Sequence, residues 1–190
     1  HRFQCQPSRV LTMQHQQLDS SQQAELSQLF GEVFSAAEGE QEGQLISQLA
    51  AQLAAIIDQQ QVFGFGTYQG QQLVAAIFFT QLLFKPEQPI FMLAPVAVSS
   101  EHQGQGIGQA LINYGLKQMQ QHAVTTVVTY GDPAYYCKFG FAPLSEQVIQ
   151  APLRLSMPFG WQGLSLNSAP ISPIQQRPSC VAPFSNPVYW

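Results

Sequence analysis

The stretch that decides the fold runs from Val96 to Phe141 and reads VAVSSEHQGQGIGQALINYGLKQMQQHAVTTVVTYGDPAYYCKFGF. It opens on the end of an apolar run (90–98), which predicts a strand covered on both faces. A Gly-rich loop follows, then apolar residues at helical spacing over 107–121, then the β-branched run 124–130. A strand that turns through glycines into a helix N-terminus predicts an anion site, because free N–H groups and the helix dipole point there.

The spacing of the glycines limits which anion this loop binds. A P-loop ends in Gly-Lys-Ser/Thr, whereas Gln109 and Ala110 follow Gly108 here. The dinucleotide fingerprint needs G-x-G-x-x-G and an acidic residue about 20 positions further on, and the chain has neither. The pyrophosphate of coenzyme A is the third ligand that such a loop accommodates.

The segments before the loop predict two helices and a hairpin. Asp19, Ser20 and Ser21 are N-cap residues ahead of the first helix, which we expect Gly39 and Gly43 to end. Pro95 cannot donate a ladder hydrogen bond and therefore predicts a bulge in the apolar strand. The expected elements are a strand over 10–15, a second helix over 44–58, and strands over 62–68, 73–84 and 90–98.

The segments after the loop predict a short helix and a tail rich in proline. Residues 134–139 suit a short helix closed by Gly140. In the tail (146–190) we expect edge strands near 161–166 and 180–189. Phe159, Trp161 and Trp190 either line a pocket or bury an edge, and packing is the preferred interpretation. We predict one domain over 1–190, with a core at 10–145 and with residues 1–9 disordered or not native.

Composition excludes several classes of protein. The chain has 190 residues and a formal charge of −4, which argues against nucleic-acid binding. Cys5, Cys137 and Cys180 show neither zinc nor disulfide spacing, and the four histidines form no ligand motif, so no metal is expected. No apolar run is long enough for a membrane span, and no signal peptide is visible. A cytoplasmic protein is therefore expected.

The motifs around the loop resemble the GNAT superfamily of N-acetyltransferases. Gln103-x-x-Gly106-x-Gly108 matches that family's Q/R-x-x-G-x-G/A loop, and the segment 135–141 (YYCKFGF) matches its F-Y-x-K-x-G-F element. The similarity is greatest to a bacterial group whose last helix reads G-D-P-x-Y-Y, here 131–136. The resemblance covers residues 10–145 well and the tail loosely. It implies an α/β fold of three layers, α/β/α, whose mixed, twisted sheet splays between its fourth and fifth strands.

The resemblance also implies an activity and a set of site residues. The activity is transfer of the acetyl group of acetyl-CoA to a primary amine of a small molecule, peptide or protein. Tyr136 stands where the family places its general acid. The family's common Asn after the second strand is replaced by Gly131 and Asp132; Asp132 binds the amine, acts as base, or is only a turn residue before Pro133, which is the preferred interpretation. Lys138 either reaches a phosphate or is a solvated lysine. The residues implied for the cofactor are Val96, Ala97, Val98, Gln103, Gly104, Gln105, Gly106, Ile107, Gly108, Tyr136 and Lys138.

Departures from the family pattern leave alternatives open. Gln103 and Gln105 give the loop no fixed positive charge, so backbone amides must hold the phosphates. Glu101 and His102 are alternative bases, or else solvated loop residues. Two other functional hypotheses remain: a module that binds acyl-CoA without turnover, and an enzyme that transfers longer acyl chains. A homodimer through tail strands is a further possibility.

Overall fold

The computed structural model describes residues 12–190, which form seven strands and four α-helices. The strands are β1 (Met13–Leu18), β2 (Val62–Gln69), β3 (Gln72–Gln81), β4 (Ile90–Val98), β5 (Thr126–Tyr130), β6 (Ala142–Pro143) and β7 (Trp161–Ser165). The helices are α1 (Gln23–Glu38), α2 (Glu40–Ala55), α3 (Ile107–Gln121) and α4 (Pro133–Tyr136). The predicted bounds of β4 and α3 are confirmed to the residue.

The strands form one mixed sheet in the order β1-β2-β3-β4-β5-β7-β6. All neighbours are antiparallel except β4 and β5, which are parallel because α3 carries the chain back between them. The sheet is open, and helices cover both of its faces. The predicted three-layer α/β/α fold is confirmed.

Each face of the sheet has its own apolar core. The pair α1 and α2 packs Leu26, Phe30 and Leu49 against Phe78 of β3 on one face. On the other face, the apolar side of α3 packs among β2, β3 and β5, with Leu111 beside Phe79. In residues 12–190, no helix combines the length and the apolar character that crossing a membrane requires.

The sheet splits between β4 and β5, as predicted. The two strands pair only from Ile90↔Thr126 to Leu93↔Thr129. Beyond Leu93, β4 continues beside β3, and its register shifts so that Ile77 faces Val96 while Phe79 faces Leu93. The extra residue lies at Ala94–Pro95, so the bulge predicted from Pro95 is confirmed. We call the resulting opening the fork.

Two predictions about the first half of the chain need correction. The first strand is Met13–Leu18 rather than 10–15, and the prediction for residues 1–9 lies outside the described part. Gly43 does not break a helix, because it lies inside α2. A Cβ at Gly43 would lie 2.9 Å from the carbonyl oxygen of Gly31 and would overlap Ser35. The glycine therefore permits close packing of the two helices.

The tail is built differently from the prediction. β7 is not an edge strand, since it lies between β5 and β6. The predicted strand over 180–189 is wrong: the chain forms 3-10 turns at Ala182–Phe184 and Pro187–Tyr189, where prolines remove backbone donors. The tail strand that does form within residues 146–190, β7, has β5 on one edge and β6 on the other, so it offers no free edge to a second copy; the homodimer itself stays a prediction.

Candidate functional site

The fork exposes backbone groups of β4 that have no strand beside them. The N–H of Ser99 donates to the carbonyl of Val74 on β3 at 2.7 Å. Because backbone groups alternate in direction along a strand, those of Ala97 also face β3, whereas those of Val96 and Val98 face the fork. The N–H and carbonyl of Val96 and the N–H of Val98 are therefore free to pair with an extended ligand, whereas the carbonyl of Val98 accepts from the side chain of Gln103.

The loop 103–108 borders the fork and needs its glycines for different reasons. Gly104 and Gly106 have φ of +75° and +77°, which non-glycine residues adopt at a cost. Gly106 is the N-cap of α3, so the free N–H groups of the first turn of α3 point out of this loop. At Gly108, a Cβ would lie 2.8 Å from Val98 Cγ2 and 3.2 Å from the hydroxyl of Tyr135. The loop thus lies directly against β4 and α4.

The two glutamines of the loop hold the backbone in place. Gln103 Nε2 donates to the carbonyl of Val98 at 3.1 Å, and Gln105 Nε2 donates to the carbonyl of Glu101 at 3.4 Å. Neither side chain carries charge. The groove over the loop has a volume of about 540 Å³. The predicted residues that line it are Val96, Val98, Gln103, Gly104, Gly106, Ile107, Gly108 and Lys138.

Tyr136 lies at the end of α4, a single turn that starts at the end of β5. Asp132 caps this turn, its Oδ1 accepting from the N–H of Ala134 at 3.0 Å, and Pro133 fixes the first helical residue. The ring of Tyr136 packs on Gly131, where a Cβ would lie 2.9 Å from Tyr136 Cε2. Asp132 is therefore a structural cap, and its solvent-exposed position also leaves it available to a ligand.

Burial raises the pKa of Tyr136 to about 12, with smaller contributions from Tyr135 and Asp132. The hydroxyl of Thr129 opposes this rise. The hydroxyl of Thr129 also donates to the carbonyl of Leu93 at 2.7 Å. Leu93 and Thr129 form the last pair between β4 and β5, at the apex of the fork. Tyr136 thus borders the apex of the fork, and its phenol stays protonated at neutral pH.

Lys138 and His102 also line the groove. Lys138 Nζ lies 5.3 Å from the centre of the Tyr135 ring, a cation–π contact that leaves the ammonium in the groove. The interpretation of His102 as a solvated residue is wrong, since only 9% of it is exposed. Its Nε2 bonds Gln69 Oε1 at 2.8 Å. Glu101 is exposed, as expected.

A second depression opens at the end of β5. Phe159 and Trp190, for which the sequence left a pocket as the alternative to packing, both line it, whereas Trp161 is buried, as preferred. The volume of the depression is about 480 Å³, and Tyr130, Asp132, Met157, Phe159 and Val188 contribute to its walls. These residues come from three segments far apart in the chain, so no local pattern marks the depression. Among residues 12–190, no group of three or more His, Cys, Asp or Glu side chains is arranged to hold a metal ion.

Residues 24–141 match the family model described as the acetyltransferase (GNAT) family. In Escherichia coli K12, the uncharacterized N-acetyltransferase YjhQ is 38% identical over 79 residues, which are 40% of this chain and 43% of YjhQ. The uncharacterized N-acetyltransferase YhbS of the same strain is 43% identical over 49 residues, 26% of this chain and 29% of YhbS. The matched segments thus span less than half of either curated relative.

Solved structures with the same fold cover more of the chain. A GNAT family acetyltransferase from Brucella melitensis, crystallised with acetyl-CoA, has a TM-score of 0.67 and 24% identity, covering 92% of this chain and 99% of that one. E. coli YhbS, crystallised with CoA, has a TM-score of 0.66 and 21% identity, covering 82% of each chain. The family model matches more than half of this chain, and the fork and glycine loop lie at that fold's parallel strand pair. The chain belongs to the GNAT acetyltransferase family.

Proposed function

We propose that the protein is an acetyl-CoA-dependent N-acetyltransferase that transfers the acetyl group directly to a primary amine. The observation that carries this proposal is the fork, where the N–H and carbonyl of Val96 and the N–H of Val98 face a glycine loop and a helix N-terminus and pair with no neighbouring strand of residues 12–190. The Brucella melitensis neighbour, crystallised with acetyl-CoA, supports the choice of donor.

The residues around the fork fit coenzyme A. The pantetheine arm is an extended amide chain, so it pairs with Val96 and Val98 as an added strand does. The pyrophosphate lies over the N–H groups of residues 103–108, which include Gln103, Gly104, Gln105, Gly106, Ile107 and Gly108. Ala97 stays a predicted contact that the register does not favour, because its backbone groups face β3.

Charge near the groove comes from outside the loop. Since Gln103 and Gln105 are neutral, Lys138 is the cation lining the groove that can contact a phosphate. The cation–π contact with Tyr135 holds its ammonium near the loop. We propose that Lys138 binds a phosphate of the donor.

Acetyl-CoA supplies a thioester. Its carbonyl carbon forms a bond to the amine nitrogen, and its bond to sulfur breaks. The nitrogen loses one proton and the sulfur gains one. The N–H of Val98, or of a neighbour, donates to the carbonyl oxygen as negative charge develops there. Asp132 either binds the amine or accepts its proton. The hydroxyl of Tyr136 donates to the leaving sulfur.

The raised pKa of Tyr136 defines its part in the reaction. A phenol with a pKa of about 12 is a weaker acid than a thiol of about 8.5, so complete proton transfer to sulfur costs roughly 5 kcal/mol. A strong hydrogen bond to the sulfur carries no such cost. We propose that Tyr136 stabilises the departing thiolate as a hydrogen-bond donor, and that the proton reaches sulfur from the amine through solvent.

Calorimetric titration with acetyl-CoA, with desulfo-CoA and NADH as controls, tests the donor site. Saturable binding of the first two and none of NADH supports the proposal, and a screen of amines for release of free thiol then tests turnover. Binding without turnover of any amine would instead favour a sensing module. No binding at millimolar acetyl-CoA would overturn both.

A further inference from the structure

Most of the strongly exposed large apolar side chains in residues 12–190 line the second depression. Four large hydrophobic side chains in residues 12–190 are strongly exposed, and three of them line this one depression: Met157 (57%), Phe159 (70%) and Val188 (56%). The fourth, Ile56, is 41% exposed and is not among its lining residues. Exposed apolar surface concentrated in one concave site is typical of a ligand-binding site.

The charge of this depression favours one type of ligand. Among residues 12–190, Asp132 is the one charged side chain that lines it, and no Lys, Arg or His of that part does. One oxygen of Asp132 accepts from Ala134, so the other remains free for a ligand. An ammonium group is attracted by this carboxylate, whereas a carboxylate or phosphate ligand would find no cation.

The walls behind the apolar rim are held rigidly. The rings of Tyr130 and Trp190 stack with centroids 6.2 Å apart, and Trp161 packs beside both. The hydroxyl of Tyr130 donates to the backbone oxygen of Trp190 at 2.9 Å and accepts from the N–H of Met157 at 2.7 Å. The position of Met157 is thus fixed to the end of β5.

The depression and the groove for the donor are neighbours along the chain after β5, since Asp132 and Pro133 line the depression and Tyr135 lines the groove. Tyr130 packs with the core under α1 and α2, whereas Tyr136 packs with the core under α3. Five residues (131–135) separate these two tyrosines along the chain, and the ring of Tyr136 contacts Gly131. Two substrates that approach from opposite faces reach the same strand end.

We propose that the second depression binds the acceptor, and that the acceptor is a small primary amine with an aromatic or aliphatic body. The ammonium lies at Asp132, and the apolar body covers Met157, Phe159 and Val188. A volume of about 480 Å³ suits a ligand of this size. This inference rests on the proposed N-acetyltransferase activity.

The test compares primary amines with different bodies, of which 2-phenylethylamine and glucosamine each carry one positive charge at neutral pH and spermidine carries three. The probes are 2-phenylethylamine, glucosamine and spermidine, assayed with acetyl-CoA by release of free thiol. We expect kcat/KM for 2-phenylethylamine to exceed that for glucosamine about tenfold or more. Phe159→Ser should lower kcat/KM for 2-phenylethylamine about tenfold, since serine cannot make the apolar contact that the ring of Phe159 makes with the body of this amine. Ile56→Ser, the matched change elsewhere, should leave it unchanged.

A binding measurement without turnover provides the second readout. Trp190 lines the depression and Trp161 packs behind it, so 2-phenylethylamine added to the protein with saturating CoA should change tryptophan fluorescence. Asp132→Asn keeps an N-cap side chain but removes the charge, and it should weaken this binding about tenfold. Phe159→Ser should weaken it similarly.

The possible failures are distinguishable. Turnover of glucosamine or spermidine without turnover or binding of 2-phenylethylamine would overturn this inference and leave the N-acetyltransferase standing. Equal effects of Phe159→Ser and Ile56→Ser would also overturn it. Failure to acetylate 2-phenylethylamine by a protein that binds acetyl-CoA would overturn this inference, whereas failure to bind acetyl-CoA would overturn the proposed function on which it rests.

Discussion

At the scale of single residues, Tyr136 shows how position and chemistry together assign a role. Its place after β5 was predicted from the sequence, but its environment was not. Burial raises its pKa to about 12, so it remains a hydrogen-bond donor at any physiological pH. The same burial makes it a poor source of a complete proton.

Replacing Tyr136 with Phe removes the donor and keeps the ring that packs on Gly131. We expect kcat to fall about 100-fold, the lower range for loss of one acid–base group, while the Kd for acetyl-CoA changes less than about twofold. Steady-state kinetics and calorimetry measure the two quantities. Tyr135→Phe is the matched control, because that residue is next in the chain and lies at Gly108 rather than at Gly131. An equal loss of kcat in both variants would rule out a specific role for Tyr136.

At the scale of elements, the loop and α3 act as one rigid piece against β4. Gly108 is where they touch, since a Cβ there would lie 2.8 Å from Val98 Cγ2. Because Val98 also presents its backbone to the fork, a displacement at Gly108 changes both the phosphate site and the strand edge that receives the pantetheine arm.

Gly108→Ala should therefore weaken acetyl-CoA binding about tenfold, because Val98 or the start of α3 must shift. We also expect a modest loss of stability, about 1 kcal/mol, despite the better helix propensity of alanine. Asn113→Ala, an exposed substitution in the same helix, is the control. Calorimetry gives the affinity, and urea unfolding verifies that the variant is folded. Unchanged affinity in a folded Gly108→Ala protein would contradict this account of the loop.

The close pairing of α1 and α2 leads to a prediction about stability. Serine hydroxyls join the helices, with Ser27 Oγ and Ser47 Oγ 2.8 Å apart, and Gly43 faces Ser35 and the backbone of Gly31. Gly43→Ala should lower the free energy of unfolding by about 1–3 kcal/mol, since the helices must separate. A solvent-exposed glycine in a helix would respond the opposite way, gaining up to about 1 kcal/mol.

Urea unfolding of Gly43→Ala, compared with Gln44→Ala at the exposed neighbouring position, measures this difference. A stabilised Gly43→Ala protein would show that the helices adjust without cost and that the contact is not restrictive.

How much of these elements was predictable depended on the range of the interactions that form them. β4 and α3 were predicted to the residue, because an apolar run, left-handed glycines and helical spacing are local signals. The role of Gly43 was mispredicted, since a glycine that breaks a helix and one that packs against another helix look alike in sequence. The place of β7 between β5 and β6 depends on contacts with β5 more than thirty residues away, and no local pattern specifies it.

At the scale of the whole molecule, we propose that one face of the sheet binds the acetyl donor and the other face binds the acceptor. The α3 face carries the loop, Lys138 and Tyr136, all predicted from one continuous stretch. The other face carries the second depression, assembled from the end of β5 and two parts of the tail. The residues proposed for the donor site were therefore all named from the sequence. The proposed acceptor site combines candidates named there, Asp132, Phe159 and Trp190, with Met157 and Val188, which only the folded chain brings beside them.

The low content of charged residues, 9% of the chain, also limits how stability depends on pH, because few groups contribute. Burial lowers the pKa of His15 below 6.5, so the unfolded chain takes up its proton first, and stability falls as the pH drops below about 6.5. Burial raises the pKa of Cys180 above 9.0, and burial together with Glu25 raises that of Tyr68 to about 12. The unfolded chain loses these protons first, so stability falls as the pH rises above about 9.

We therefore expect a plateau of stability between about pH 6.5 and pH 9, measured as the free energy of unfolding in urea across a pH series. His15→Gln should reduce the slope on the acid side, because glutamine does not titrate and can still bond the hydroxyl of Thr67, which lies 2.8 Å from His15 Nδ1. Tyr68→Phe should reduce the slope above pH 10 only, since it removes the phenol that Glu25 contacts at 2.9 Å. Each variant acts as the control for the other, because His15→Gln should leave the alkaline part of the stability curve unchanged and Tyr68→Phe should leave the acid part unchanged. If the loss of stability on the acid side is the same in His15→Gln as in the original protein, it arises from carboxyl groups, which lose their charge at lower pH, and not from His15.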